Sequence, residues 1–339
     1  MSKILTKVAI VLGLAAMALS GCGASDTSAK ATTIGLTYIP NIQFSPFYVA
    51  KAQHLFGDTP VELRHHGADE GLFNALLTGK EDAVVAFGDE AVQAISEGMD
   101  LAIIGILYQH YPVTVIANRD SAIQSWSDLR GKTVGVPGRY GSSWFGFQAG
   151  LAAAGLSLDD VKVAEIGYTQ QAQLTTRKVD AVVGFTNNDL VRFQLAGVDV
   201  TTLELPADTP MIGAALITTG KFAKKYPQKC RDLVNGMVRG VKQVHDNPDE
   251  AINVTKQYDE SLSGKSAMQA ARVVLDATNQ ITALKQYDAQ NPGKAVAPNR
   301  RQVRDMIAVM KQMGALGKKK DVTKFSDAEL DAIAVPWTN

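Results

Sequence analysis

Thr33-Ile34-Gly35-Leu36 and Thr133-Val134-Gly135-Val136 lie one hundred residues apart and share one pattern. Val61-Glu62-Leu63, running on to Gly67, returns as Val161-Lys162-Val163, running on to Gly167. Asp82-Ala83-Val84-Val85-Ala86-Phe87 returns as Asp180-Ala181-Val182-Val183-Gly184-Phe185, and Gly98-Met99-Asp100-Leu101 as Gly197-Val198-Asp199-Val200. Order and register are kept throughout, which predicts two lobes of similar build. Each anchor is short, apolar and β-branched, the composition of a strand buried on both faces.

Helical stretches fill equivalent slots between the anchors: 47–56 and 143–155, 69–78 and 170–178, 91–97 and 190–196. Strand–helix alternation implies right-handed crossovers and a mainly parallel sheet in each lobe. Ligands of such sheets sit beyond the carboxyl ends of the strands. The loops there carry aromatic and amide groups. After the first strand come Tyr38, Asn41, Phe44 and Phe47, matched in lobe two by Arg139, Tyr140, Ser142, Ser143 and Trp144. Asp89 and Glu90 follow the third strand, Asn187, Asn188 and Asp189 follow its counterpart, and Tyr168 follows the second strand of lobe two. Facing loops make a cleft in which aromatic faces stack on a flat ligand and amides read its heteroatoms.

Gly135, Gly138 and Gly141 are spaced three apart, so the dinucleotide pattern G-x-G-x-x-G is not met. Gly131-Lys132-Thr133 fails as a phosphate loop, because Trp126 stands where its first glycine belongs and a strand follows. What remains is a glycine turn opening a helix, with Ser142 or Ser143 expected as its cap and free N–H groups able to hold a ligand oxygen.

The 339 residues carry 34 Lys+Arg and 34 Asp+Glu, with 46% hydrophobic. This is a globular composition, without the basic excess of a nucleic-acid binder. Lys3 and Lys7 flank an uncharged apolar run over residues 8–19, too short to span a bilayer and suited to a signal peptide over residues 1–21. Leu19-Ser20-Gly21-Cys22 resembles the bacterial lipobox, which implies a diacylglycerol on Cys22 and a small polar tether over 22–31. Without Lys3 and Lys7 the remainder has a slight acidic excess, so membrane attachment is expected from the lipid rather than from a polybasic anchor. The other cysteine, Cys230, then lacks a partner; with Val234, Met237 and Val241 it falls on one helical face, which predicts a buried thiol.

Lipobox, repeated lobes and cleft together resemble the solute-binding lipoproteins of ABC importers. Leu36-Thr37-Tyr38-Ile39-Pro40-Asn41-Ile42-Gln43-Phe44-Ser45-Pro46-Phe47-Tyr48-Val49-Ala50 is similar to the opening motif of a subgroup related to the thiamine-pyrimidine synthases, which includes receptors for thiamine pyrimidine precursors and riboflavin. Val183-Gly184-Phe185-Thr186-Asn187-Asn188-Asp189 resembles its second-lobe signature, with Asp189 where Glu is more usual. The resemblance implies a type II periplasmic-binding-protein-like α/β fold. Lobe one is 32–108 plus a return and helical tail over 213–339, and lobe two is 109–212. Tail helices are expected at 221–246, 248–258, 264–283 and 299–313, packed on lobe one. Tyr108 and Tyr111, at the first crossing, are placed at the back of the cleft.

The implied function is capture of a small heteroaromatic vitamin or precursor by lobe closure, in a monomer without cofactor. It would deliver to permease and ATPase subunits from the outer face of the cell membrane. A receptor for another solute such as a sulfonate, or a synthase-like enzyme, are the alternatives. Against the enzyme stand the missing cysteine-rich segment and the absence of H-E-x-x-H, G-x-S-x-G and C-x-x-C. Against a metal receptor, His65 and His66 are strand neighbours pointing to opposite faces, while His54, His110 and His245 stand apart.

Overall fold

The short apolar runs of the sequence form strands β1 (Thr32–Leu36), β2 (Val61–His65), β3 (Ala83–Phe87) and β4 (Ala102–Ile106). They return as β6 (Thr133–Val136), β7 (Lys162–Glu165), β8 (Ala181–Phe185) and β9 (Val200–Glu204), with β5 (Val113–Asn118) before that series and β10 (Ala214–Thr218) after it. The computed structural model describes residues 30–67 and 70–337, and the chain from Ala31 onward is one compact unit. The expected signal peptide, Cys22 and nearly all of the tether lie outside the described residues.

One sheet has the order β2-β1-β3-β10-β4 and the other β7-β6-β8-β5-β9. β1 pairs parallel with β2 and β3, and β6 with β7 and β8. β10 and β5 take the equivalent place in the two sheets, each antiparallel to both neighbours. Connectivity explains the reversal. β4 ends at the carboxyl edge of its sheet, crosses through residues 107–112, and enters the second sheet from that same edge. β10 enters the first sheet the same way after residues 205–213. The inner strand β10 is buried along its whole length, and so is the edge strand β4, whereas the edge strand β7 of the other sheet is largely accessible.

Helices α1 (Ser45–Ala52), α2 (Asn74–Leu77) and α3 (Gly88–Ser96) serve lobe one; α4 (Gly141–Ala153), α5 (Gln170–Thr175) and α6 (Asp189–Leu195) serve lobe two. The helix expected over 69–78 shrinks to the single turn of α2, ended by Gly79 at φ +74°. In the tail, the helix expected over 221–246 divides into α7 (Gly220–Lys225) and α8 (Pro227–Asp246). Pro227 excludes Tyr226 from the helical region, and Tyr226 takes φ −130°, ψ 58°. α9 (Pro248–Thr255), α10 (Lys265–Thr282) and α11 (Arg300–Gln312) follow, and α12 (Asp327–Ile333), unanticipated, starts on a Ser326–Glu329 capping box. The tail does not rest on lobe one alone: α10 also meets α6, and α11 meets α4.

α8 buries Cys230, Val234, Met237 and Val241 against the first sheet, and burial pushes the Cys230 thiol up to about 12. α8 lies so close to α1 that a Cβ on Gly240 would sit 2.0 Å from the Pro46 carbonyl oxygen. The obstacle is backbone and cannot rotate away. Gly240→Ala is expected to lower stability by about 1–3 kcal/mol, read from denaturant unfolding; an unchanged midpoint would refute this account of the α1–α8 contact.

Candidate functional site

The last residues of the repeated strands β3 and β8, Phe87 and Phe185, face each other between the lobes with ring centroids 5.7 Å apart. Phe87 also stands edge-on to Tyr108 at 6.0 Å and to Tyr111 at 5.9 Å. These four rings make an aromatic floor, bordered by two polar clusters that join the lobes.

The first cluster centres on Asp89, fully buried in the opening turn of α3. Its carboxylate accepts from Tyr111 Oη at 2.5 Å, from Ser142 Oγ at 2.9 Å and from the Glu90 N–H at 2.7 Å. Glu90 accepts the Phe87 N–H at 3.1 Å, and its other oxygen lies against the start of α4. Gly141 opens that helix at φ +67°, and a Cβ there would be 3.1 Å from Glu90 Oε1, so glycine serves both the backbone and the close approach. Burial raises both carboxyl pKa values, and the neighbouring Asp89 charge lifts Glu90 further, to about 8. The pair therefore holds a proton near neutrality.

The second cluster centres on the buried Asn187. Its Nδ2 donates to Thr278 Oγ1 on α10 at 3.2 Å and to Tyr108 Oη at 3.3 Å. Its backbone carbonyl oxygen accepts from Gln43 Nε2 at 3.1 Å. Burial pushes Tyr108 up to about 12. Gln43 and Thr278 were not among the expected site residues. Gln43 lies inside the aromatic loop that drew attention, but Thr278 is brought in only by the docking of α10.

At the rim, Tyr38, Tyr140 and Tyr168 are 51%, 62% and 77% exposed. The Tyr168 pKa is raised, first by hydrogen bonding to Tyr140 and then by burial. Burial lowers the His65 pKa; its Nδ1–H donates to the Tyr38 carbonyl at 2.8 Å, and Nε2 is hydrogen-bonded to Tyr48 Oη at 2.9 Å. That ring fixes the base of the Tyr38 loop. Asn41 caps the turn Ile42–Phe44, and Phe44 meets His65 edge-on at 5.7 Å.

Several expectations are corrected. Phe47 is wholly buried in the lobe-one core, because α1 begins at Ser45 and turns it inward. Trp144 is likewise buried beside Phe147, with the Arg139 guanidinium 5.3 Å above its ring; Arg139 also pairs with Glu165 at 3.2 Å. Neither Ser142 nor Ser143 caps α4: Tyr140 holds the cap position without a side-chain bond, and Ser142 turns to Asp89. The α4 N-terminus, expected open to a ligand, is covered by Glu90. Asn188 is half-buried before α6 and caps nothing, while Asp189 accepts the Phe185 N–H at 2.9 Å. A pocket of about 280 Å³ lies beside Tyr168, lined by Gln170, Asp189, Arg192 and Phe193.

His65 and His66 do diverge, His66 reaching Glu81 at 3.0 Å. Among the described residues no three His, Cys, Asp or Glu side chains gather as a metal site, and no helix is long and apolar enough to cross a membrane.

The carboxyl pair sets a pH dependence. With its folded pKa raised from 4.5 to about 8, Glu90 favours the fold fully below the unfolded value and loses that contribution as pH climbs through 8. Glu90→Gln keeps an acceptor for Phe87 but removes the titration. Its melting temperature is expected to gain on the parent between pH 5 and pH 8.5; a gap constant across that range would rule out the raised pKa.

The family described as NMT1/THI5 like matches residues 41–251. The riboflavin-binding protein RibY of Chloroflexus aurantiacus is 32% identical over 231 residues, covering 67% of this chain and 66% of RibY. A putative thiamine biosynthesis protein of Haemophilus influenzae is 33% identical over 171 residues, covering 48% of this chain and 52% of that protein. The chain thus spans less than two thirds of the length of either relative. The putative sulfonate ABC transporter's periplasmic sulfonate-binding protein SsuA of Methylobacillus flagellatus has the same fold, with a TM-score of 0.63 at 15% identity, covering 90% of this chain and 92% of that one. The two-lobed α/β architecture is that of the periplasmic binding proteins, and the chain belongs to the NMT1/THI5-like family.

Proposed function

We propose that this protein is the solute-binding component of an ABC importer and captures a heteroaromatic vitamin, riboflavin before a thiamine pyrimidine precursor, between its two lobes. The observation that carries the choice of ligand class is the α4 N-terminus. In an anion receptor that dipole is a natural seat for a sulfonate or nitrate. Here Asp89 and Glu90 occupy it, and their charge would repel an anion, whereas a neutral ring with N–H and C=O groups meets both donors and acceptors. The kinship to RibY, itself riboflavin-binding by name, supports the same class.

The rim tyrosines supply stacking faces, and the inner rings Phe87, Phe185, Tyr108 and Tyr111 supply an apolar floor. Groups from both lobes meet in the Asp89 and Asn187 clusters, so closing is favoured by contacts that an open form lacks. A ligand spanning the lobes would add to that preference, and the closed shape is then what a permease reads. No conversion is required of the site, and the ligand leaves as it came. The lobes act as 32–108 with 213–339 and as 109–212. The receptor works as a monomer, without metal or cofactor, held at the outer face of the membrane by a diacylglycerol on Cys22.

Riboflavin is expected to raise the melting temperature, while aliphatic sulfonates leave it unchanged. Tyr168→Ala should weaken riboflavin binding by about fivefold without lowering the melting point, as loss of one stacking face predicts. Stabilisation by a sulfonate and none by riboflavin or the pyrimidines would overturn the ligand class. Bound riboflavin should be recovered chemically unchanged. Separately, at high salt Cys22→Ser is expected to move the protein from the membrane fraction to the soluble one; retention there would count against the lipid anchor.

A further inference from the structure

We infer that the base of lobe one, the end away from the cleft, carries a surface for anionic lipid headgroups, built by Lys221, Lys224, Lys225 and Lys229 around Tyr226. The base is defined by strand direction. β10 runs against its neighbours, so its last residue, Thr218, lies beside Ala83 and Ala102, the first residues of β3 and β4. α7 starts at Gly220, just past that edge, and α8 rises from it.

The patch is basic and aromatic together. Lys221, Lys224 and Lys225 are exposed, Lys229 is half-buried, and Tyr226 is 37% exposed. The Lys225 and Lys229 ammonium groups stand 5.0 and 5.4 Å from the Tyr226 ring centroid, and Phe222 packs on the same ring at 5.0 Å. None of the four lysines is ion-paired among the described residues. The acids nearby, Asp100 and Asp232, accept from the Lys221 N–H and from Thr59 Oγ1 and Gln228 Nε2 rather than from a lysine ammonium, so four cations stand against two acids. A zero net charge over the whole chain conceals this local cluster, which a total cannot reveal.

Position selects the partner. The chain enters the first sheet at Thr32, the first residue of β1, which lies two strands from β10 on the same base edge. Ten residues separate the position of Cys22 from that point, a reach of at most about 35 Å when extended. On the lipid-anchor reading, on which this rests, the base is therefore the face the tether holds near the bilayer. Lysines at an anionic surface each add attraction, and a tyrosine ring suits the headgroup level.

The experiment uses residues 22–339 carrying Cys22→Ser, which retain the whole compact unit and lack an anchor, so the outcome does not depend on lipidation. Sedimentation with phosphatidylglycerol-containing vesicles at low salt should retain the protein, and pure phosphatidylcholine vesicles should not. Joint Lys221→Gln, Lys224→Gln, Lys225→Gln and Lys229→Gln should lower partition by at least about tenfold, with the melting temperature confirming the fold. Tyr226→Ala should lower it by a smaller factor of about three. Equal retention of the four-lysine variant, or retention indifferent to lipid charge, would overturn the proposal, as would no retention by either lipid. Failure of the anchor reading would show instead as full-length Cys22→Ser staying with the membranes as the parent does at high salt, where attraction through the lysines is screened.

Discussion

Both passages of the chain between lobes leave and arrive at the carboxyl ends of the parallel strands, and the site follows from that constraint. Because β5 and β10 must enter from the cleft side, each is the single reversed strand of its sheet. The remaining four strands of each sheet point their ends at the other lobe. Phe87 and Phe185 meet for this reason, and the helix starts after them bring Asp89, Glu90 and Asn187 to the same plane.

The repeat made the strands legible. Matching runs at a near-constant offset located β1, β2, β3, β6, β7 and β8, whereas the fourth anchors, 98–101 and 197–200, mark the turns leading into β4 and β9; the reversed strands β5 and β10 lie at the lobe crossings, outside the repeat. Side-chain direction was harder to read. Phe47 and Trp144 belong to aromatic loops by composition, but α1 and α4 each begin two residues earlier than expected and turn both rings into the core. Thr278 left no trace in the sequence, since its place beside Asn187 depends on α10 docking across the lobes. Asp89 and Glu90, placed in the cleft loops by the sequence, also act on a helix of the opposite lobe, while Glu90 caps its own; adjacency along the chain gave no sign of the first.

Electrostatics in the site run against the helix dipole's ordinary use. An N-terminus that attracts anions is already met by a carboxyl pair, and the low-dielectric surroundings make that pair reluctant to ionise fully. Ser142, Tyr111 and the Gly141 turn all serve that arrangement, so the polar core between the lobes is satisfied by the protein's own groups.

The strand order of the first sheet also bears on how the chain is made. β4 has no partner in its sheet until β10 lies between it and β3, and β10 comes more than one hundred residues after β4. β5 through β9 are contiguous, so a chain appearing N-terminus first can complete its second sheet while the first still exposes two open edges. The lobe that starts first finishes last, and the buried run of β4 is the segment in greatest need of protection during that interval.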